Sequence, residues 1–293
     1  MKNKLPRLVL IGAAFLYATA GVFDRTLSAE VSVYMQVLIR TALSVLLFIS
    51  IVFLKRVQFR KIERKDWKYL IAQGVLSFSG FIFFIQAVTK IPIGLTLFTF
   101  YSGILISVFI YSSFIFKEKV TKTTFTALCL SSIGLVIMFL NSLETYSLYG
   151  FIFAFIAGCG FGLNFPVSKH VSDKYSHLQI NTTVFFVSFI LSTCTVFLTG
   201  TTITFSYSIG IWVAFILYSI TIILAYFACI YGFQHTKTQI ASLTLLLEVV
   251  FAVVIGYLVY REIPTLHTTI GGILILISQI LINIKPEVEK PVQ

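Results

Sequence analysis

Charge is what this chain has least of: its 293 residues include only 22 Lys and Arg, 11 Asp and Glu and four His. With 11% charged and 58% hydrophobic residues, against about 25% and about 45–50% in soluble domains, it has too little polar surface to cover a soluble globular fold. Cysteine is equally sparse. Cys129, Cys159, Cys194 and Cys229 form no Cys-x-x-Cys pair and have no His at ligand spacing, so they offer no disulfide or zinc framework and read as small buried hydrophobes. No G-x-x-x-x-G-K-[ST] loop occurs, and no polar stretch is long enough to hold a nucleotide-binding domain.

What is present instead is a series of ten apolar stretches, at 8–24, 33–54, 68–88, 92–116, 121–140, 149–168, 178–199, 209–232, 239–260 and 265–284. A spanning helix needs about 20 mostly apolar residues and satisfies its own backbone hydrogen bonds, which is what a bilayer demands. The runs are continuous rather than alternating, which argues against a membrane β-barrel. The expected fold is an all-α integral membrane protein with ten transmembrane helices. Its connecting loops are short, and only 55–67 (KRVQFRKIERKDW) has the makings of an amphipathic surface segment. The start, MKNKLPR with an apolar run and Ala18-Thr19-Ala20, resembles a cleavable signal peptide. Asp24 and Arg25 close the segment like a first transmembrane helix, and an equivalent segment recurs mid-chain, so retention is expected.

The formal charge of +11 is a matter of distribution. With the N-terminus in the cytoplasm, 18 of the 22 cations lie inside, from Lys2, Lys4 and Arg7 through the 55–68 cluster to Lys285 and Lys290. Only Arg25, Lys90 and Arg261 lie outside, and Arg40 lies within a span. This is the positive-inside pattern with both termini cytoplasmic. It is a topology signal, and no basic domain exists to bind nucleic acid. The location expected is a bacterial cytoplasmic membrane.

Shifted against itself by 144 residues, the chain lays its first five spans on its last five. Arg25 falls on Lys169 and Glu118 on Glu262, in FKEKVT and YREIPT. The units are 1–143 and 144–285, with 286–293 a cytoplasmic tail. Five is odd, so the second unit enters the membrane from the opposite side, and the two form inverted repeats. Inverted repeats around a midplane site are an architecture of alternating-access transporters.

From Gly232 to Ile282 the chain reads GFQHTKTQIASLTLLLEVVFAVVIGYLVYREIPTLHTTIGGILILISQILI, which resembles the last two helices of an EamA-type domain in the drug/metabolite transporter superfamily. The family pattern is a helix carrying Leu-Glu-Pro, a turn with Glu after a small or basic residue, and a helix opening with Gly. Leu247-Glu248, Arg261-Glu262 and Gly271-Gly272 match, while Val249 stands in place of Pro. In the first half the resemblance covers Arg40, Asp66-Trp67 and Lys117-Glu118-Lys119, and the fourth helix has Gly103 where Pro would fall. Without those prolines helix kinks lose their usual cause, though Gly103 permits a bend. The resemblance implies the ten-helix fold and transport of amino acids, nucleotide sugars, small cations or other metabolites.

Two ionised residues are placed within the hydrocarbon. Arg40 lies about seven residues, about 10 Å, inside the outer end of its helix. A cation at a helix centre costs at least about 2.5 kcal/mol unless it faces water or a partner. It either binds a substrate carboxylate or phosphate or pairs with a helix end or with Glu248. Glu248, near the middle of the ninth span, either carries a proton or holds a substrate ammonium, or makes a structural hydrogen bond. Together the two would read the opposite charges of a zwitterion. Tyr17, Thr19, Gln36, Tyr101, Ser102 and Asn164 are neutral candidates for the same cavity. Gln36 and Arg40 share a helix face, and Asn164 sits among Gly158, Gly160, Gly162 and Pro166, the signature of a close-packed or broken helix. The 30 Phe and 14 Tyr are ordinary membrane filling and identify no substrate. Glu118 and Glu262 read as loop or helix-end salt links.

The expected function is secondary transport of a small polar metabolite, an amino acid or related solute, with a possible coupling proton or ion and no cofactor or metal. The alternative is a membrane enzyme acting on a lipid or lipid-linked substrate, but His170, His177, His235 and His267 are scattered, and no catalytic dyad emerges. The inverted reading makes one direct prediction: reporters fused after the fifth and tenth spans face opposite sides of the membrane, and a common side for both would remove the inversion.

Overall fold

The computed structural model describes residues 5–91, 93–139, 147–261 and 263–284. Among them the regular elements are all helices: α1 (Leu5–Ser28), α2 (Val33–Leu54), α3 (Trp67–Val88), α4 (Ile93–Ile115), α5 (Lys122–Phe139), α6 (Leu148–Ser168), α7 (His177–Leu198), α8 (Ile209–His235), α9 (Thr238–Leu245), α10 (Leu247–Tyr260) and α11 (Leu266–Ile284). Eight segments are long and apolar enough to cross a bilayer, with Thr238–Tyr260 counted as one, while the apolar stretches of α5 and α11 are shorter. Glu262 lies outside the described residues.

The repeat is written into the backbone. The four described residues with positive φ are Arg56, Lys117, Gly200 and Arg261. Arg56 and Gly200 follow the ends of α2 and α7, and Lys117 and Arg261 those of α4 and α10, each pair 144 residues apart. A left-handed residue releases the last carbonyls of a helix into a turn, a task usually given to glycine. Three of these four sites hold Lys or Arg, which accept the strain and place a cation at the negative end of the helix dipole.

The halves are interleaved rather than side by side. α3 packs along α6 and α8 along α1; α4 packs on α6, and α9 and α10 on α1; α2 meets α7, and α5 meets α11. Every one of these contacts crosses between the repeats, and they occur in the exchanged pairs expected of two equivalent units. Without an aqueous hydrophobic effect between them, membrane helices associate through close backbone approach and polar links. Gly158 supplies such an approach: a Cβ there would run into the Phe100 carbonyl of α4. At the α5–α11 seam, a Cβ on Gly134 would lie 2.7 Å from the Gly271 carbonyl.

Two expectations change. α1 continues to Ser28, so Asp24 and Arg25 lie within its last two turns instead of closing it; the side-chain partners described below hold that end together. The 55–67 segment lies largely at the surface, without helix between 57 and 63. It is pinned as a strap, because Gln179 of α7 accepts from Arg60 N (3.1 Å) and donates to Arg60 O (2.6 Å), while Glu63 N donates to Tyr175 Oη (3.0 Å). Of the cysteines, Cys229 is buried, but Cys194 is exposed on the outer face of α7, where lipid would meet its apolar thiol.

At the start of α3 the buried Asp66 accepts from Lys174 Nζ at 3.1 and 3.0 Å and from Tyr175 Oη at 2.9 Å, tying that end to the α6–α7 connection. The Lys174 hydrogen bonds, helped by Tyr175, hold the Asp66 carboxyl below its usual value near 3.8. Acidification therefore protonates the unfolded chain first. The stabilisation is fully present above about pH 4 and is lost as pH falls through the lowered folded value. Thermal unfolding in detergent should show D66N destabilised at neutral pH, with the gap to the parent closing below pH 4; a constant gap across that range refutes the assignment.

Candidate functional site

The ninth apolar stretch breaks where the resemblance left a kink without its proline. Between α9 and α10 the backbone tightens: Leu246 N bonds Leu243 O at 3.2 Å and Val249 N bonds Leu246 O at 3.1 Å. The cause lies on another helix. Gln279 of α11 donates to Leu243 O at 2.6 Å, and a side chain inserted into a helix ladder is a recognised source of such breaks. The matching position in the first half is Leu135, which has no amide to insert, and α4 runs unbroken from Ile93 to Ile115.

The break puts Glu248 in the first turn of α10, where the positive end of the helix dipole favours a carboxylate. Tyr17 of α1, Tyr101 of α4 and Cys229 of α8 lie within electrostatic reach of it. The hydroxyls of Tyr17 and Tyr101 are buried without a hydrogen-bond partner, so the approach to Glu248 falls short of hydrogen-bond geometry. A chain of rings joins the two tyrosines: Tyr17 to Phe161 at 5.2 Å, Phe161 to Phe100 at 5.6 Å and Phe100 to Tyr101 at 5.5 Å. Phe165 continues it, 5.6 Å from Phe161 and 5.1 Å from Tyr226. At Tyr226, Asn164 donates to the hydroxyl at 3.4 Å and to Gln73 O at 3.5 Å, and Ser77 shares a 2.9 Å bond with the same hydroxyl. Asn164 Oδ1 and both amide atoms of Gln73 are buried without partners.

Arg40 belongs to a separate cluster. Nη1 donates to Asp24 Oδ1 at 2.9 Å and Nη2 to the Tyr218 hydroxyl, which also donates to Asp24 Oδ2 at 3.3 Å. The guanidinium lies over the Tyr218 ring at 3.8 Å and the Phe81 ring at 5.1 Å. None of the partners considered for Arg40, a solute anion, a helix end or Glu248, is the one it meets: the longer α1 carries Asp24 to it, and the charge is neutralised there. Beside it, Val37, Thr41, Ser44, Phe185 and Ile222 help enclose a cavity of about 10 Å³, room for one water, where a metabolite pocket takes about 300 Å³ or more. The Arg40 site is closed.

Of the neutral candidates, Tyr17, Tyr101 and Asn164 belong to the ring-lined centre. Gln36 donates to Val31 O at 2.8 Å and to Ser28 Oγ at 3.4 Å, securing the α1–α2 turn. Thr19 bonds back to Leu16 O at 2.7 Å. Ser102 bonds Phe98 O at 2.8 Å and faces a largely apolar cleft of about 380 Å³ between α4 and α5; it stands apart from its neighbour Tyr101 because adjacent helical residues diverge by about 100°.

Asp24, Tyr218, Tyr226, Gln73 and Gln279 escaped the sequence reading. Only Asp24 left a clue: a cation inside a helix requires a nearby acid. Glu118 acts at the other end, accepting from Thr238 N (2.9 Å) and Gln239 N (3.3 Å) at the start of α9, with Lys169 Nζ 3.6 Å away. The same ammonium donates to Thr236 O at 3.0 Å and Thr238 Oγ1 at 2.7 Å. His170 shares a 2.9 Å bond with Tyr111, while His177 meets Gln234, so the two histidines serve different contacts. No group of three His, Cys, Asp or Glu able to hold a metal occurs among the described residues.

Removing one partner of a buried ion pair leaves an uncompensated charge, at a cost of about 3–5 kcal/mol. D24N should therefore sharply lower thermal stability in detergent, and the D24N/R40Q double variant should recover part of that loss. Equal stability of parent and D24N would show that Arg40 is satisfied without the pair.

The family model of the EamA-like transporter family matches residues 5–140 and 148–284, one copy on each half. An uncharacterized transporter of Archaeoglobus fulgidus is 28% identical over 173 residues, 56% of this chain; the chain spans only 58% of that relative's length. A solved structure, named only as "Crystal structure of protein", shares the fold, with TM-score 0.81 and 13% identity over 96% of this chain and 97% of its own. Matched in both halves, the chain belongs to the EamA-like transporter family, within the drug/metabolite transporter superfamily, and is an integral membrane protein.

Proposed function

We propose that the protein is a secondary transporter that carries a small polar metabolite, an amino acid or a related organic solute, across a bacterial cytoplasmic membrane by alternating access. The observation that carries this reading is the exchanged packing of two repeats, α3 on α6 and α8 on α1, around a polar, ring-lined centre. Two equivalent units that complete one another have two equivalent packings, each opening to a different face. The units are 1–143 and 144–285, inverted, with ten crossings and both termini cytoplasmic. Supporting that topology, the residues read as cytoplasmic meet one another: Asp66 with Lys174, Glu118 with Lys169, Arg60 with Gln179.

In the cycle, the Glu118 carboxylate latches the start of α9 to Lys169 and holds the inner end shut. Arg25, which sits 4.1 Å over the Tyr260 ring, and Glu262 are the repeat-related residues for the outer end. The closed cavity at Arg40 fits a resting state that must open before solute enters. Energy comes from an ion or solute gradient, since no nucleotide-binding loop exists in the sequence. Membrane-enzyme chemistry has less support, because the histidines are spent on separate contacts.

Reconstituted into liposomes, the protein should show saturable counterflow with a panel of radiolabelled amino acids and related solutes, weakened in E118Q through loss of the inner latch. Flux that never saturates would indicate a channel, and product formation without net movement an enzyme.

A further inference from the structure

The interior holds two charged sites of opposite character. Arg40 is 5% exposed and already engaged by Asp24, Tyr218 and two ring faces. It has no vacancy for a solute carboxylate unless Asp24 lets go. Glu248 is the reverse case: among the described residues, no Lys or Arg forms an ion pair with it. It stands in the first turn of α10 at membrane depth, where a carboxylate without a partner cation is costly and the helix dipole offsets only part of that cost.

We propose that Glu248, with Tyr17 and Tyr101 beside it, binds the ammonium group of a small organic amine; this narrows the transport reading above and rests on it. Three observations converge. The carboxylate supplies the missing countercharge. The Tyr17, Phe161, Phe100 and Tyr101 rings run in unbroken contact, and ring faces attract cations and repel anions. The Tyr17 and Tyr101 hydroxyls are 6% and 1% exposed by residue and have no hydrogen-bond partner; their lone pairs are acceptors, which suits an ammonium that can only donate.

The same geometry disfavours other solutes. A carboxylate or phosphate would face Glu248 with no cation paired to it among the described residues to offset the repulsion. A small hydrated metal ion would exchange its water for ring faces, two hydroxyls and the two oxygens of one carboxylate, too few oxygens for the six or more that hard divalent ions take. A zwitterion gains at its ammonium and loses at its carboxylate, so the amine lacking the carboxylate binds more tightly. This replaces the pairing of Arg40 and Glu248 as the two ends of one zwitterion site.

Three compounds sharing one ring isolate the charge: phenethylamine, phenylalanine and phenylacetate. Equilibrium binding of radiolabelled phenethylamine to the purified full chain at pH 7 should saturate. Phenylalanine should compete about tenfold more weakly, and phenylacetate not at all. E248Q should weaken amine binding by about tenfold or more. Y101F keeps the ring and loses the acceptor, so it should weaken binding a fewfold, and unliganded thermal stability near the parent's certifies that each variant is folded.

Unchanged amine binding in folded E248Q overturns the proposal, as does phenylalanine binding more tightly than phenethylamine. Failure of the parent to bind phenethylamine overturns it too, including where E248Q alters only the pH dependence of counterflow, since Glu248 then handles a proton alone. The carrier reading fails separately. Saturable counterflow of phenylalanine without amine binding sinks this inference and leaves the carrier standing, whereas amine binding that depends on Glu248 without saturable counterflow of any solute supports the site and sinks the carrier.

Discussion

A charge held inside hydrocarbon must find a partner or face a polar hollow, and the organisation of this molecule follows from how its few buried charges meet that demand. Arg40 meets it with Asp24 on α1 and the Tyr218 hydroxyl on α8, tying three helices at one point. At the end of α6, Lys169 pairs with Glu118 and the start of α9, joining the two repeats at another point. Glu248 is left with aromatic rings and unpaired hydroxyls around it. Two of these sites act as fasteners, and the third is the one proposed above to take a ligand.

The repeats have equivalent backbones and unequal side chains. The left-handed residues recur at an interval of 144 and the packing partners exchange between halves, yet Asp24 and Arg40 correspond to Ser168 and Val184 in the other unit. Gln279 corresponds to Leu135, and only the helix facing the glutamine breaks. A duplicated scaffold thus supplies two related packings, while single substitutions give one half the ion pair and the other the broken helix with its carboxylate.

Much of the scaffold was legible in the chain, for physical reasons. A bilayer imposes a minimum apolar length and forbids unsatisfied backbone, so the apolar helices announce themselves. Glycines at 158 and 162 signalled a tight seam, and the structure places α6 against α4 there. Tyr17, Tyr101 and Asn164 could be nominated because polar groups are rare in such helices. Their grouping could not be read, since Tyr101 points into the centre while adjacent Ser102 points at a cleft beside α5, a difference set by helix rotation.

By itself, the sequence determined the membrane class, the helical spans, the 144-residue repeat and the short roster of polar residues able to act within the bilayer, because each depends on local composition or on spacing along one chain. Tertiary structure alone decided that Arg40 answers to Asp24, that Gln279 opens the ladder before Glu248, and that this carboxylate lies beside Tyr17 and Tyr101. Those outcomes depend on which helices neighbour one another and how each is turned about its axis, and interleaved packing brings together residues as distant in the chain as Tyr17 and Glu248, 231 positions apart.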